Sequence, residues 1–208
     1  MGEVGFLASG CLRATATVTV AGSASSEPSD EALMARLTDG DEAAYEMLVD
    51  RHLHSAYRFA YRMVGQYGEA EDAVQEAFLR LWQKAGQWRA RRGSFKAWFY
   101  RLLYNLCVDM MRRRPPFEPE LDEDPAGPGN PATELHATQR ARLVMAALLQ
   151  LPERQRAALL LTYYEGLTNR EAATTLNVGV KALEALLVRG RRTLVRTLAG
   201  RKSELLED

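Results

Sequence analysis

Between Thr168 and Arg192 the chain carries the residues of a compact two-helix unit that could read duplex DNA. Thr168 stands where an N-cap is needed. Glu171, three positions on, completes a capping box, so that the first turn's bare amides find acceptors. Ala172 and Ala173 are small enough to let a second helix cross closely. Asn177, in the turn Asn177-Val178-Gly179, tolerates a left-handed backbone. Beyond it, Leu183 and Leu187 form an inward pair one turn apart. Lys181, Glu184, Ala185, Val188, Arg189 and Arg192 fall on the opposite face. Arginine can bind phosphate or a guanine edge, and glutamate can accept from cytosine, so such a helix suits the major groove. A plain helical hairpin with a solvated basic face would show the same pattern.

A second chemistry-bearing stretch runs from Arg89 to Arg114, with eight basic residues and one acid, Asp109. Trp88, Phe95, Trp98, Phe99, Tyr100 and Tyr104 are interleaved with it. Aromatic faces stack on unpaired bases while cations follow phosphates, which is the chemistry of single-stranded nucleic acid. At helical spacing most of these rings also fit a core stripe. The segment Gly86–Ser94, with Trp88 and three arginines, reads as a loop able to hold an extruded base. A third face, Asp72, Gln75, Glu76 and Leu79, combines carboxylates, an amide and one leucine. It fits either a partner protein or solvent.

Other chemistries find no residues to carry them. His52, His54 and His136 are the three histidines, and Cys11 and Cys107 the two cysteines. None shows the spacing of a metal site or a disulfide framework, so two thiols in a reducing cytoplasm are expected. No phosphate loop, nucleophile elbow or metalloprotease motif occurs, so no enzyme, metal or cofactor is expected. The formal net charge is zero over 208 residues, which leaves local patches rather than overall charge to meet phosphate. No apolar run approaches the roughly 20 residues of a membrane span.

The elements that must position these residues are helical throughout. Residues 1–29 are rich in Gly, Ala, Ser and Thr and read as a disordered tail. Periodicity starts at Asp30, behind a Ser29 or Asp30 cap, with Leu33, Met34 and Leu37. Leu48, Leu53, Tyr57 and Tyr61 continue it up to Gly65. A helix from near Glu69 to Lys84 carries the stripe Ala70, Val74, Ala77, Phe78 and Leu81. Another runs from about Ser94 to Arg113, until Pro115-Pro116 stops it. Pro115–Pro131 holds six prolines and five acids without a base, which reads as a flexible acidic linker. After it come a helix with Leu135, Leu143, Ala146 and Leu149, a helix Glu153–Glu165 opened by Pro152 and ended by Gly166, and the two-helix unit. The expectation is therefore an all-α chain with helical domains at 30–114 and 132–200, a linker at 115–131 and a short tail at 201–208.

These residues also resemble a family. Ala70-Glu71-Asp72-Ala73-Val74-Gln75-Glu76-Ala77-Phe78-Leu79-Arg80-Leu81-Trp82 is similar to the second conserved region of the extracytoplasmic-function (ECF) sigma factors of bacterial RNA polymerase. Phe95–Leu106, with Asp109 and Arg112–Arg114, resembles the stretch that follows it. Leu151-Pro152-Glu153-Arg154-Gln155-Arg156, Gly166-Leu167-Thr168 and the two-helix unit resemble the fourth region. The resemblance covers about Asp30 to Leu198, in the family's order.

It implies a non-catalytic, cytoplasmic subunit that binds core RNA polymerase through Asp72, Gln75, Glu76 and Leu79. Trp88, Arg89, Arg91, Arg92, Lys96, Arg101, Asn105, Arg112 and Arg113 would melt and hold the single-stranded minus-ten element. Lys181, Glu184, Ala185, Val188, Arg189 and Arg192 would read the minus-thirty-five duplex. An anti-sigma factor is the implied inhibitor. Where family members often place a basic residue, a serine and a second basic residue, this chain has Glu184, Ala185 and Leu186. The family's upstream target sequence therefore does not carry over. Without the resemblance, an operator-binding regulator and a protein-binding helical adaptor would remain as alternatives.

Overall fold

A computed structural model describes residues 27–88, 93–113 and 131–200, with side chains from 140 in the last stretch. The N-terminal tail up to 26, the arginines Arg89, Arg91 and Arg92, the linker from 114 to 130 and the tail 201–208 lie outside the described residues. Among the described residues every regular element is helical. The first module holds α1 (Asp30–Thr38), α2 (Glu42–Val64), α3 (Tyr67–Lys84) and α4 (Phe95–Arg113), with a 3-10 turn at Ala85–Gln87. The second holds α5 (Pro131–Leu149), α6 (Glu153–Leu159), α7 (Asn169–Thr175) and α8 (Val180–Ala199).

Local chemistry sets the helix ends. The Ser29 hydroxyl accepts from the Ala32 amide at 3.2 Å, and the Asp41 carboxylate accepts from Ala44 at 3.2 Å. Gly65 closes α2 at φ 78°, a left-handed cap that costs glycine nothing. α5 begins at Pro131 itself, one residue before the expected start, because proline lacks only an amide that the first turn does not use.

The first module's core is aromatic. Phe99 stacks on Phe95 at 5.7 Å and meets Phe78 at 5.0 Å, while Phe59 meets Tyr100 edge-on at 5.1 Å. Phe95, Phe99 and Tyr100 are thus core side chains rather than a stacking platform, and only Trp98 of that helical run stays half-buried. α3 buries the expected stripe of Ala70, Val74, Ala77, Phe78 and Leu81.

α2 departs from its expected stripe. Leu53 is exposed, whereas His52 is buried with Leu48, Ala56, Phe59 and Met63. A step of five from Leu48 to Leu53 rotates the leucine off the face, and steps of four, four, three and four keep the others on it. The buried His52 ring bonds the Asp30 carboxylate at 2.9 Å, and Arg51 donates to Asp30 at 2.6 Å. Burial pushes the Asp30 carboxyl up, but the bonds to His52 and Arg51 outweigh it and hold it below the ordinary 3.8.

Asp30→Asn should cost about 1 kcal/mol at neutral pH. Because the folded value is depressed, this contribution is full above 3.8 and is lost as pH falls below it. Urea midpoints at pH 7 and pH 3 should show the gap between variant and wild type narrowing in acid.

The sequence Glu153–Glu165 is not one regular helix. α6 passes at Leu160 into a π segment, Leu160–Tyr164, closed by the Glu165 amide donating to Leu160 at 3.0 Å and Leu167 donating to Leu161 at 2.9 Å. The wider turn brings Glu165 inward and leaves Tyr163 and Tyr164 exposed. Gly166 then ends the run at φ 68°. The two modules pack together: α7 lies along α4, and α5 and α6 reach α2.

Candidate nucleic-acid interface

The capping box at the start of α7 is complete. The Thr168 hydroxyl accepts from the Glu171 amide at 3.3 Å, and the Glu171 carboxylate accepts from the Thr168 amide at 2.9 Å. Asn177 takes φ 52° and turns the chain into α8, with Val178 donating to Ala173 at 2.9 Å. Leu183 and Leu187 point into the module's core. Lys181, Glu184, Ala185, Val188, Arg189 and Arg192 all lie exposed on the outer face, and Val188 is 56% exposed. Arg189 lies back along its own helix, its Nε donating to the Ala185 carbonyl at 3.1 Å.

Gly190 escaped the sequence reading. A Cβ there would meet Leu159 Cδ1 at 3.0 Å, so the missing side chain lets α8 cross α6 closely. Only the crossing partner reveals this, and that partner is distant in sequence.

On α4 the basic and amide groups separate cleanly from the core rings. Arg101, Asn105, Arg112 and Arg113 are exposed, while Phe99, Leu103 and Leu106 face inward. Gly93, at φ 140°, precedes Ser94, whose hydroxyl accepts from the Ala97 amide at 3.3 Å and starts the helix. Trp88 is buried at the end of the 3-10 turn rather than displayed on a loop. A cavity of about 410 Å³ opens beside it, lined among others by Trp98, Arg101 and Asn105. Lys96 stands apart from the exposed set: its ammonium donates to the backbone carbonyl of Glu165 in the second module. Cys107 is fully buried, and burial pushes its thiol up to about 12, so it is inert at neutral pH.

On α3, Asp72 and Gln75 are exposed, and Glu76 accepts from Arg80 at 2.6 Å one turn on. Leu79 is 49% exposed, and Trp82, three residues further, is 41% exposed with its ring against Tyr45 at 5.2 Å. Trp82 was missed as a surface residue because its period also fits the buried stripe. The result is an apolar pair at the end of an acidic helix face.

Glu165 is the other residue without a sequence signal. It is 5% exposed. Burial pushes its carboxyl above the ordinary range, against the opposing pull of its bond to Tyr100 and the charges of Lys96, Arg58 and Arg62. Among the described residues no group of three His, Cys, Asp or Glu side chains could hold a metal, and no helix is long and apolar enough to cross a membrane.

The family models for Sigma-70 region 2 and Sigma-70 region 4 match residues 48–115 and 141–194. The chain is 37% identical over 188 residues to the ECF RNA polymerase sigma factor SigE of Mycolicibacterium smegmatis, covering 86% of this chain and 72% of that protein. The chain belongs to the ECF sigma factors of RNA polymerase. It is also 29% identical over 172 residues to the sigma factor SigW of Bacillus subtilis, covering 76% of this chain and 91% of that one. Among solved structures it is similar to CnrH in complex with the cytosolic domain of CnrY. The TM-score there is 0.65 at 26% identity, over 82% of this chain and 97% of that one.

This sigma factor directs promoter-specific initiation with core RNA polymerase and carries no catalytic chemistry of its own. The α1–α4 module contains region 2, and the module with α6–α8 contains region 4. The expected all-α, two-module architecture is the one observed.

Proposed function

We propose that the three exposed faces divide the work of promoter opening. The α3 face, Asp72, Gln75, Glu76 and Leu79 with Trp82 added, docks on core polymerase. The α4 face, Arg101, Asn105, Arg112 and Arg113 with Lys96 and the Trp88 region, melts and holds the minus-ten strand. The α8 face, from Lys181 to Arg192, enters the minus-thirty-five major groove. The observation that carries this reading is the separation on α4. Its rings other than Trp98 are in the core, while Arg101, Asn105, Arg112 and Arg113 share one exposed face, and Trp98, Arg101 and Asn105 border a cavity with room for a base. Cations tracking phosphate next to a recess for one unstacked base is what a melted strand requires.

Asn105→Ala should weaken binding of a single-stranded minus-ten oligonucleotide by polymerase holoenzyme by about 1 kcal/mol, roughly fivefold, at one base position only. Equal loss for every oligonucleotide would reduce Asn105 to a backbone contact. Unchanged binding would remove it from the site.

An anti-sigma partner, acting in the cytoplasm, completes the proposal. The solved relative bound to the cytosolic domain of CnrY supports it, as do the exposed Tyr163, Tyr164, Val188 and Val195 on the region 4 module. Affinity capture of the tagged chain from unstressed native cells should recover such a regulator. Recovery of polymerase alone would contradict it.

A further inference from the structure

α1 lies ahead of residues 48–115 and carries none of the three faces. It nevertheless packs against the two elements that wall the cavity beside Trp88, the 3-10 turn Ala85–Gln87 and α4. The Glu31 carboxylate accepts from the Phe95 amide, the first of α4, at 3.1 Å. Two turns on, the Thr38 hydroxyl donates to the Met34 carbonyl at 2.9 Å and lies 3.5 Å from the Ala85 carbonyl, where the 3-10 turn begins. Glu31 and Thr38 are seven residues apart, so they share a helix face and stand about 10 Å from each other along a rigid rod. Asp30 adds a second route to α4: it holds His52, whose ring lies 5.2 Å from that of Phe95 and 6.2 Å from that of Phe99. Leu33, Met34 and Leu37 are buried and fix the rod itself to the module's core.

α4 does not need the bond from Glu31 in order to form. It has a cap of its own: the Ser94 hydroxyl accepts from the Ala97 amide at 3.3 Å, and the Trp98 amide closes the first turn on the Ser94 carbonyl at 3.2 Å. Ser94 is joined to the helix along the chain, so its cap moves with the helix. Glu31 is 64 residues away on another element, so its bond fixes where the helix begins. Its carboxylate also stands at the positive end of α4, which strengthens the hold. Trp98, Arg101 and Asn105 lie on one stripe, at steps of three and four residues from that first turn. Holding the turn therefore places the stripe relative to Trp88 across the cavity.

We propose that Glu31 is a positioning residue for minus-ten reading. Through α1 it sets the distance between the Trp88 wall of the cavity and the stripe Trp98, Arg101 and Asn105, so that the recess is formed before an unstacked base arrives. A recess formed in advance spares the ordering cost that binding would otherwise meet. Glu31 itself touches no DNA. The inference rests on the assignment of the α4 face to the minus-ten strand.

Two measurements on the full chain test it. In the free protein, amide hydrogen exchange read by NMR should show Phe95 exchanging about fivefold faster in Glu31→Ala, which loses the acceptor. Glu31→Gln keeps an acceptor oxygen and should stay within about twofold of wild type. In holoenzyme, Glu31→Ala should weaken binding of a single-stranded minus-ten oligonucleotide about fivefold, with the loss concentrated at the base that Asn105 reads. Affinity for core polymerase should not change, and Glu31→Gln should restore the oligonucleotide binding. Glu31→Ala combined with Asn105→Ala should discriminate at that base no worse than Asn105→Ala alone, because the first residue acts through the second. A role in stability alone would instead lower core binding and minus-ten binding together, and the two losses would add.

An unchanged Phe95 exchange rate in Glu31→Ala would overturn the hold of α1 on α4. Faster exchange with unchanged minus-ten binding, where Asn105→Ala is impaired, would overturn the positioning role. If Asn105→Ala changes no minus-ten binding either, the assignment of α4 falls and takes the positioning role with it, while the exchange result still establishes the hold on the helix.

Discussion

Leu79→Asp should weaken binding to core RNA polymerase by about 30-fold or more, roughly 2–4 kcal/mol. Leu79 is 49% exposed on α3, with Trp82 one turn away and Asp72 and Gln75 exposed on the same helix. Burying a leucine against a partner contributes about 1.5–3 kcal/mol. A carboxylate forced into the same apolar contact adds a desolvation cost. The fold should be little affected, because the side chain already faces water and aspartate in a helix costs only about half a kcal/mol. Competition binding against labelled wild type reads the affinity, and thermal unfolding of the free chain controls for stability. A variant that binds core polymerase as tightly as wild type would remove α3 from the docking surface. Glu76 is a weaker probe, because its bond to Arg80 means that a substitution there also perturbs the helix.

Arg189→Ala should weaken binding to the upstream duplex element by about 1–3 kcal/mol, between roughly fivefold and 150-fold. The residue sits on the outer face of α8, beside Val188 and one turn before Arg192. Its Nε, part of the guanidinium, donates to the Ala185 carbonyl, which leaves the two terminal amino groups to meet a base or a phosphate. An exposed substitution of this kind should move stability by less than about 0.5 kcal/mol. Competition with a panel of upstream sequences distinguishes the two modes of contact. Selective loss at one base pair identifies an edge contact. Uniform loss with a reduced salt dependence identifies phosphate. No loss at all would take Arg189 out of the interface.

The parts of this molecule legible in the sequence are those set by neighbours along the chain. The Thr168–Glu171 capping box, the left-handed Asn177, the Gly65 cap and the α3 stripe depend on residues within one or two turns, and each appears as expected. The inward and outward faces of α8 follow from one helical period, so the candidate recognition residues were readable as a set.

What was hidden depends on partners far along the chain. The π segment at Leu160–Tyr164 has an unremarkable composition, and it is the inter-module contact of Glu165 with Tyr100 and Lys96 that gives the widened turn a role. Gly190 reads as an ordinary helix interruption until Leu159 is seen against it. Leu53 and His52 exchange places because one five-residue step breaks the α2 stripe, and Asp30 makes the burial of the histidine tolerable. The rings of α4 were ambiguous for the opposite reason: a core stripe and a stacking platform share one spacing, and only packing against Phe59 and Phe78 decides between them.

The central claim is that this sigma factor opens promoters only with core polymerase, through two separated readers. Permanganate reactivity of unpaired thymines, combined with run-off transcription on mapped promoter templates, tests it most directly. The chain with core polymerase should produce reactive thymines at the minus-ten element and a defined transcript, and neither component alone should produce either. Tight duplex binding by the chain alone, with no reactive thymines and no transcript when polymerase is added, would contradict the account.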